Sequence, residues 1–193
     1  FLLTDRSTPP ASFSETGRIT VEYRDDFTSF SGYLTHEAYY PECCQGPVSY
    51  AVLGDGAALD GSALYTQSAE DADVLGRAFR VFNRSQIPLS GIAYELRARD
   101  IVQGWACGSG GVLYVMDFAV TDPAATWPDA PSGPTPAFGE GVPDDGGGYV
   151  TVRGAGSFLA PTSVMTLVLL HADNSNICTI DVFWDSLLLT PIP

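Results

Sequence analysis

The sequence contains no lysine, and its nine basic residues are all arginine. Set against 23 acidic residues, they leave a formal net charge of −14. Affinity for a phosphate backbone requires basic side chains that neutralise phosphates, so we expect no nucleic acid partner. The missing lysine is explained more simply by codon usage in a GC-rich genome than by a surface shaped for arginine contacts. Asp outnumbers Glu 16 to 7, a bias that suits secreted proteins that bind divalent cations.

Long apolar runs are missing as well. The longest, from Val164 to Leu170, has the size of a strand and falls far short of the ~20 residues that cross a bilayer. We therefore expect no membrane span. A hydrophobic fraction of 45% is typical of a packed globular protein. The length of 193 residues suits one large domain with a full core.

Cysteine is scarce, and none of the four has the C-x-x-C or Cys/His spacing of a metal site. Their even number favours disulfides formed in an oxidising compartment. A Cys43–Cys44 bond would close a strained ring across one peptide bond. We therefore expect each of these two residues to pair with Cys107 or Cys178, in an order that the sequence leaves open. A chain that begins at Phe1 without Met fits removal of a signal peptide, so we expect a secreted or cell-surface protein.

Catalytic signatures are missing too. The sequence has two histidines and no H-E-x-x-H, G-x-S-x-G, P-loop or dinucleotide fingerprint. We therefore expect no enzymatic activity. A glycosidase that uses two carboxylates stays open, because the sequence does not show which acidic residues are close in space. Asn83-Arg84-Ser85 fits the N-glycosylation pattern, and whether Asn83 is modified is also left open.

What the sequence does contain is a two-residue alternation of apolar and polar positions, which predicts an all-β protein. In Ser90–Arg99, Ile92, Tyr94 and Leu96 face inward while Arg97 and its polar neighbours face out. Other strands are predicted at Arg18–Arg24, Val48–Leu53, Ala63–Ser68, Gly76–Phe82, Val112–Val120, Tyr149–Arg153, Val164–His171 and Asn176–Thr190. The pattern predicts an antiparallel β-sandwich of about nine or ten strands across residues 17–193, with no confident helix.

The last predicted strand contains an acidic residue among apolar ones. At the two-residue period, Phe183, Leu187 and Leu189 share one face, and Asp185 falls on the same face. An ionised carboxylate is costly there unless a cation or several hydrogen-bond donors meet it. Asp185 is therefore either a calcium ligand or a cap on a backbone turn at the rim of the sheet.

The segments between strands differ in character. Residues 1–16 contain a Pro-Pro step and predict an extended N-terminal arm. Its apolar residues Phe1, Leu2, Leu3 and Phe13 need a surface to pack on, either on their own domain or on another molecule, for example by strand addition to a sheet edge. Residues 28–47 are predicted as a structured loop, and residues 121–148 as a long loop rich in Pro and Gly. A loop of that length is usually functional or mobile.

The order of these elements resembles that of the jelly-roll carbohydrate-binding modules of secreted bacterial polysaccharide hydrolases. The resemblance spans residues 26–190 and rests on the segments Gly61–Tyr65, Ile87–Leu96, Phe158–Pro161, Val168–Leu170 and Val182–Leu189. It implies a jelly-roll fold. It also implies a structural Ca²⁺ site in which Asp185 joins Asp25 or Asp26.

Sugar binding requires exposed aromatic rings flanked by groups that bond hydroxyls. The candidate rings are Trp127, Trp105, Tyr39, Tyr40 and Trp184, and the candidate polar partners are Arg97, Arg99, Glu95 and Gln103. Trp184 and Trp105, each taken alone, are better explained as core residues or as residues that pack against a disulfide. Trp127 has no obvious core to enter, so we expect it to contact a ligand or a neighbouring subunit.

Two functional hypotheses of different class follow. The first is a non-catalytic subunit of a pilus-like filament or surface assembly, in which the N-terminal arm connects copies into a homopolymer. The second is a secreted carbohydrate-binding module that binds polysaccharide. We favour the first, because an apolar arm needs a partner surface, and head-to-tail contacts that do not close generate filaments.

Overall fold

The computed structural model describes residues 12–13, 19–20, 22–39, 46–54, 56–59, 61–69, 73–83, 89–103, 110–127, 136–143, 147–174 and 179–192. These residues form thirteen strands and one short helix. The strands are β1 (Ser12–Phe13), β2 (Ile19–Thr20), β3 (Tyr23–Asp25), β4 (Leu34–Tyr39), β5 (Val48–Leu53), β6 (Ala63–Ser68), β7 (Asp73–Asn83), β8 (Leu89–Gln103), β9 (Gly111–Met116), β10 (Phe138–Gly141), β11 (Val150–Thr162), β12 (Val164–Asn174) and β13 (Thr179–Ile192). The helix, α1, spans Pro123–Thr126.

The strands form two stacked antiparallel sheets. The five-stranded sheet has the order β10-β9-β12-β7-β4, and the six-stranded sheet has the order β11-β8-β13-β6-β5 with β3 beside the second half of β13. Strand β13 lies at the centre of the larger sheet, between β8 on one side and β6 and β3 on the other. The predicted antiparallel β-sandwich is therefore confirmed.

The core lies between the two sheets because each contributes one apolar face. Strand β8 contributes Ile92, Tyr94, Leu96 and Ala98, every second residue, as its alternation predicts. The neighbouring strand β13 adds Ile180, Val182 and Trp184 to the same face, and the opposite sheet contributes Leu113 and Val115 of β9 and Met165, Leu167 and Leu169 of β12. Trp184 is fully buried among them, as expected for a core residue.

Several segments differ from the prediction. Strand β4 lies in the region predicted as a loop, and β10 lies inside the Pro/Gly-rich stretch. The predicted strand Arg18–Arg24 is found as β2 and β3 with Val21 outside the described residues. Strand β1 pairs with β2, so residues 12–13 of the predicted arm fold against residues 19–20.

The rest of the arm lies outside the described residues, as do the side chain of Phe13 and the residues Phe1, Leu2, Leu3, Cys43, Cys44, Cys107 and Cys178. The arm, its boundary at residue 16 and the disulfides stay predictions.

The helical content gives no route across a membrane. Within the described part of the chain, nothing helical has the length and apolar character of a bilayer span.

Candidate functional site

The candidate site lies on the face of the six-stranded sheet that points away from the core, called the outer face below. On β6, β8 and β13 the core residues alternate with residues that point the other way. The outer face therefore presents Tyr65 and Gln67 of β6, Arg97 and Arg99 of β8, Asp181, Phe183 and Asp185 of β13, and Tyr149, which precedes β11. It combines aromatic rings with charged and amide groups.

A register shift in β13 places Asp185 on this face. Between Trp184 and Ser186 the pairing with β8 shifts by one residue, so that Trp184 and Leu187 both enter the core. A bulge of this kind inverts the alternation on one side of the extra residue. The prediction that Phe183 and Asp185 share a face with Leu187 and Leu189 is therefore wrong. The first two lie on the outer face and the last two lie in the core.

Asp185 is enclosed although it lies on the outer face. Its side chain is 1% exposed, and its Oδ2 accepts a hydrogen bond of 2.7 Å from the backbone N–H of Leu59. Its Oδ1 is buried and has no hydrogen-bond partner. Residues 56–59 thus lie against this part of the sheet. The hydroxyl of Tyr149 holds the same segment by donating to the carbonyl of Ala57 at 2.6 Å.

The guanidinium of Arg99 lies over two aromatic rings. Its guanidinium carbon is 3.9 Å from the centroid of the Phe183 ring and 5.0 Å from that of Tyr149. Phe183 is only 7% exposed, because Arg99 and Tyr65 cover its ring. The centroids of the Tyr65 and Phe183 rings are 4.8 Å apart. Cations over ring faces are held by the ring quadrupole, so the rings fix the plane of the guanidinium.

A hydrogen-bonded strip runs beside these rings. The hydroxyl of Tyr65 donates to Oδ1 of Asp181 at 2.6 Å, and the amide of Gln67 donates to the same oxygen at 2.8 Å. Burial raises the pKa of the Tyr65 hydroxyl and its bond to Asp181 raises it further, so it stays a donor at neutral pH. Burial likewise raises the pKa of Tyr149 to about 12, although the Arg99 charge acts against that shift.

The predicted calcium ligands are not brought to one place. Asp25 pairs with Leu187 on the core side of β13, and its oxygens accept from Tyr23, Tyr33 and the backbone of Phe27. Arg80 lies 3.7 Å from Oδ2 of the same carboxylate.

Asp26 is exposed and accepts from Thr28, two residues along the chain. Within the described residues no group of three or more His, Cys, Asp or Glu side chains is arranged to hold a metal ion. The orphaned Oδ1 of Asp185 could accept a cation, but Asp25 and Asp26 do not fit as its partners.

The predicted sugar contacts are only partly found together. Arg97 lies on the outer face of β8, as predicted. Tyr39 lies on β4 of the other sheet, where it packs beside Val48 and Val74 and donates to Glu37. Trp105 and Tyr40 lie outside the described residues.

The expectation for Trp127 is wrong, because its ring does have a core to enter. Trp127 is 2% exposed and packs edge-on against Phe79, with ring centroids 4.9 Å apart. His36 stacks at 5.9 Å and its Nε2 lies 3.0 Å from the Trp127 carbonyl. The guanidinium of Arg77 lies 5.1 Å from the ring centroid. Helix α1, which begins with the Asp122 N-cap, turns Trp127 onto the outside of the five-stranded sheet.

The sequence argument missed Tyr65, Gln67, Tyr149, Asp181 and Phe183 as members of one site. Tyr65 and Gln67 could have been found from the alternation of β6, since they occupy its polar positions next to the core residues Leu64 and Thr66. Nothing in the sequence indicates the bulge that places Phe183 beside them.

Comparisons with known proteins show the fold and nothing finer. No family profile matches the chain, and no curated protein matches it. Among solved structures, the C-terminal family 22 carbohydrate-binding module of Clostridium thermocellum Xyn10B matches at a TM-score of 0.50 and 15% identity, covering 88% of this chain and 91% of the other.

The family 11 module from Clostridium thermocellum matches at a TM-score of 0.48 and 10% identity, covering 86% of this chain and 94% of the other. The enzymatically active domain of tailspike protein 4 of bacteriophage CBA120 matches at a TM-score of 0.49 and 6% identity. That match covers 84% of this chain and 20% of the tailspike chain. The chain therefore has the antiparallel jelly-roll sandwich of the carbohydrate-binding modules.

Proposed function

We propose that the chain is a non-catalytic carbohydrate-binding domain and that its sugar site is the outer face of the six-stranded sheet. The observation that supports this most directly is the grouping of Tyr65, Tyr149 and Arg99 with Gln67 and Asp181 on one sheet face. The fold adds support, because the family 22 module that shares it has a cleft studied for ligand binding and the family 11 module was solved with a β-1,3-1,4-linked tetrasaccharide.

The chemistry of the face suits a chain of sugar rings. Half-buried aromatic rings such as Tyr65 and Tyr149 offer apolar surface to the C–H faces of pyranoses. The amide of Gln67 and the carboxylate of Asp181 offer a donor and acceptors to hydroxyl groups. Because β-strands hold these groups, the site is formed before a ligand arrives and little ordering entropy is lost on binding.

Among the described residues, the carboxylates beside the aromatic rings, Asp181 and Asp185, favour binding over hydrolysis. Asp185 is enclosed at 1% exposure, so a glycosidic oxygen could not reach it without movement of residues 56–59. Oδ1 of Asp181 already accepts hydrogen bonds from Tyr65 and Gln67, so protein donors occupy that oxygen. A two-carboxylate hydrolase needs both carboxyl groups in reach of the same glycosidic bond.

The experiment is a titration of a panel of soluble polysaccharides by calorimetry or affinity electrophoresis, with variants of the outer face. Tyr65→Ala removes an aromatic contact, and we expect affinity to fall by about tenfold or more. The matched control is Phe118→Ala, which removes an exposed aromatic ring that follows β9 in the other sheet. Equal affinity in the wild type and Tyr65→Ala would contradict the proposed site.

The filament hypothesis stays a prediction. It rests on the predicted arm of residues 1–16, of which the structure describes only residues 12–13, and binding of carbohydrate fits the fold at least as well. Light scattering of the full chain, compared with a variant lacking residues 1–16, tests it. A monomer at high concentration in both would end the hypothesis. Secretion is likewise a proposal, supported by the same fold.

The calcium site also stays a prediction. Thermal unfolding with Ca²⁺ and with a chelator tests it in the full chain, with Asp185→Asn as the variant. A bound ion would raise the unfolding temperature, since a ligand that binds only the native state stabilises it. The geometry of Asp25 and Asp26 does not support their joint ligation with Asp185.

A further inference from the structure

We propose that the outer face takes a polysaccharide with carboxylate groups, and that Arg99 binds the carboxylate. This inference rests on the proposed function and names the class of sugar polymer for the same site.

The first support is that, among the described residues, no carboxylate forms an ion pair with Arg99. Within the described part of the chain, Arg99 meets only the rings of Phe183 and Tyr149, and its Nε is buried without a hydrogen-bond partner. A cation that is partly removed from water without an anion or acceptors is unfavourable. An incoming carboxylate would supply both the opposite charge and the acceptors.

The second support is the contrast with other arginines of the fold. Arg153, on the same outer face, bonds Glu95 through its Nε at 2.8 Å. Arg80 lies 3.7 Å from the Asp25 carboxylate and donates to the Tyr23 hydroxyl at 2.7 Å. Each of these side chains is already satisfied by the protein. Arg99, whose side chain is half-buried, still meets solvent with no such partner.

The third support is the fixed plane of the guanidinium. A carboxylate is bound best by two parallel N–H groups, which Arg offers in one plane and Lys does not. The Phe183 ring, 3.9 Å from the guanidinium carbon, restricts that plane before a ligand arrives. An exposed arginine loses side-chain conformational entropy when it binds a ligand. Arg99 loses less, because the Phe183 ring already restricts its side chain.

Among the described residues, Glu95, Asp181 and Asp185 also lie on this face, and Glu95 is paired with Arg153 at 2.8 Å. Oδ1 of Asp181 accepts from Tyr65 and Gln67, and Asp185 is enclosed behind residues 56–59, so neither presents a bare carboxylate to the ligand. Arg97 adds a second positive charge next to Arg99 on β8. A neutral polymer would offer the guanidinium hydroxyl acceptors but no opposite charge.

The test compares each acidic polysaccharide with its own carboxyl-reduced form, which keeps the backbone and loses the charge. Suitable pairs are polygalacturonate, glucuronoxylan and hyaluronan, each native and reduced. For the pair that binds, we expect the native polymer to bind at least about tenfold more tightly, the effect of one charge-assisted bidentate contact. Reduced polymer that binds as tightly as native polymer would overturn the carboxylate inference and leave the proposed function standing.

Variants assign the effect to one side chain. Arg99→Gln should abolish the preference for the native polymer, whereas Arg153→Gln, which removes the same charge from the same face, should keep it within about twofold. A preference that persists in Arg99→Gln would overturn the role of Arg99. If no native acidic polymer binds the wild type, the carboxylate inference is overturned, and the titration of the wider polysaccharide panel decides the proposed function. The comparison of native with reduced polymer uses only the wild type, so it decides the inference even if Arg99→Gln does not fold.

Discussion

At the scale of single residues, His171 is a titratable group enclosed between the two sheets. It is 0% exposed, and its Nδ1 lies 3.0 Å from Oγ1 of Thr66. The indole N–H of Trp184 donates to the same hydroxyl at 3.3 Å. Nε2 of His171 is buried without a hydrogen-bond partner. Burial lowers the pKa of His171 to about 3, because an imidazolium would lose its hydration there.

This burial predicts a loss of stability in acid. The unfolded chain takes up the proton of His171 near its ordinary pKa of 6.5, while the folded chain stays neutral until about pH 3. Between these values the unfolded state binds more protons. His171 therefore contributes stability that is present above pH 6.5 and is lost, by about 1.4 kcal/mol per pH unit at most, as the pH falls toward 3.

The measurement is urea unfolding at pH 7, 6, 5 and 4 for the wild type and for His171→Gln. Carboxylates titrate in both proteins, so the difference in slope isolates His171. We expect a shallower slope in His171→Gln than in the wild type. Parallel curves for the wild type and His171→Gln would contradict the prediction.

Trp127 gives a second prediction at this scale. Its ring fills a cluster with Phe79, Tyr114, Met116, Val120 and Val168, so Trp127→Ala should lower the free energy of unfolding by about 3–5 kcal/mol. Polysaccharide affinity of the folded fraction should not change, because this cluster belongs to the other sheet. Denaturant unfolding and binding of one preparation check both parts, with Phe118→Ala as control. A stable variant with weakened binding would restore Trp127 as a ligand contact.

At the scale of elements, local alternation predicted some strands well and others poorly. The bounds of β5 and β6 agree with those predicted, and β8 was predicted over most of its length, because one face of each is apolar. Strand β10 was not predicted, because its sequence Phe-Gly-Glu-Gly has one apolar residue and shows no alternation. This segment forms a strand by pairing with β9. Long-range pairing is not visible in a short window of sequence.

The candidate site was harder to predict than the fold for the same reason. Arg97 and Arg99 follow from the alternation of β8. Phe183 and Asp185 reach the face only through the bulge at Asp185, which the surrounding β-sandwich imposes. Trp127 was misjudged because its neighbours in sequence are loop residues, while its contacts come from β4 and β7.

The docking of β10 on β11 yields a prediction for this scale. A Cβ at Gly156 would lie 2.0 Å from the Phe138 ring, so Gly156→Ala must displace that ring from Phe158, 5.5 Å away between centroids. We expect a loss of about 1–3 kcal/mol in unfolding free energy from overpacking. Gly141→Ala on β10 is the control, since its Cβ would meet only one atom, at 3.9 Å. Equal stability of both variants in urea would contradict this account of the contact.

At the scale of the whole molecule, the net charge of the chain has the opposite sign to the guanidinium of Arg99. The chain has a formal net charge of −14, whereas Arg97 and Arg99 lie together on the outer face. The field of the whole protein acts over distances comparable to the Debye length, and the contact with Arg99 acts at a few ångströms. An anionic polymer is thus repelled at a distance and attracted on contact.

The last prediction concerns how salt changes the rate of binding an acidic oligosaccharide. Raising ionic strength from 0.01 to 0.15 M shortens the Debye length from about 30 to about 8 Å, which removes the distant repulsion first. The association rate constant should therefore rise with salt by several-fold, and that of the carboxyl-reduced oligosaccharide should stay constant. Stopped-flow or biosensor kinetics on both oligosaccharides measure this. A rate that falls with salt, as in proteins whose net charge attracts the ligand, would show that the arginines of the outer face dominate the long-range field.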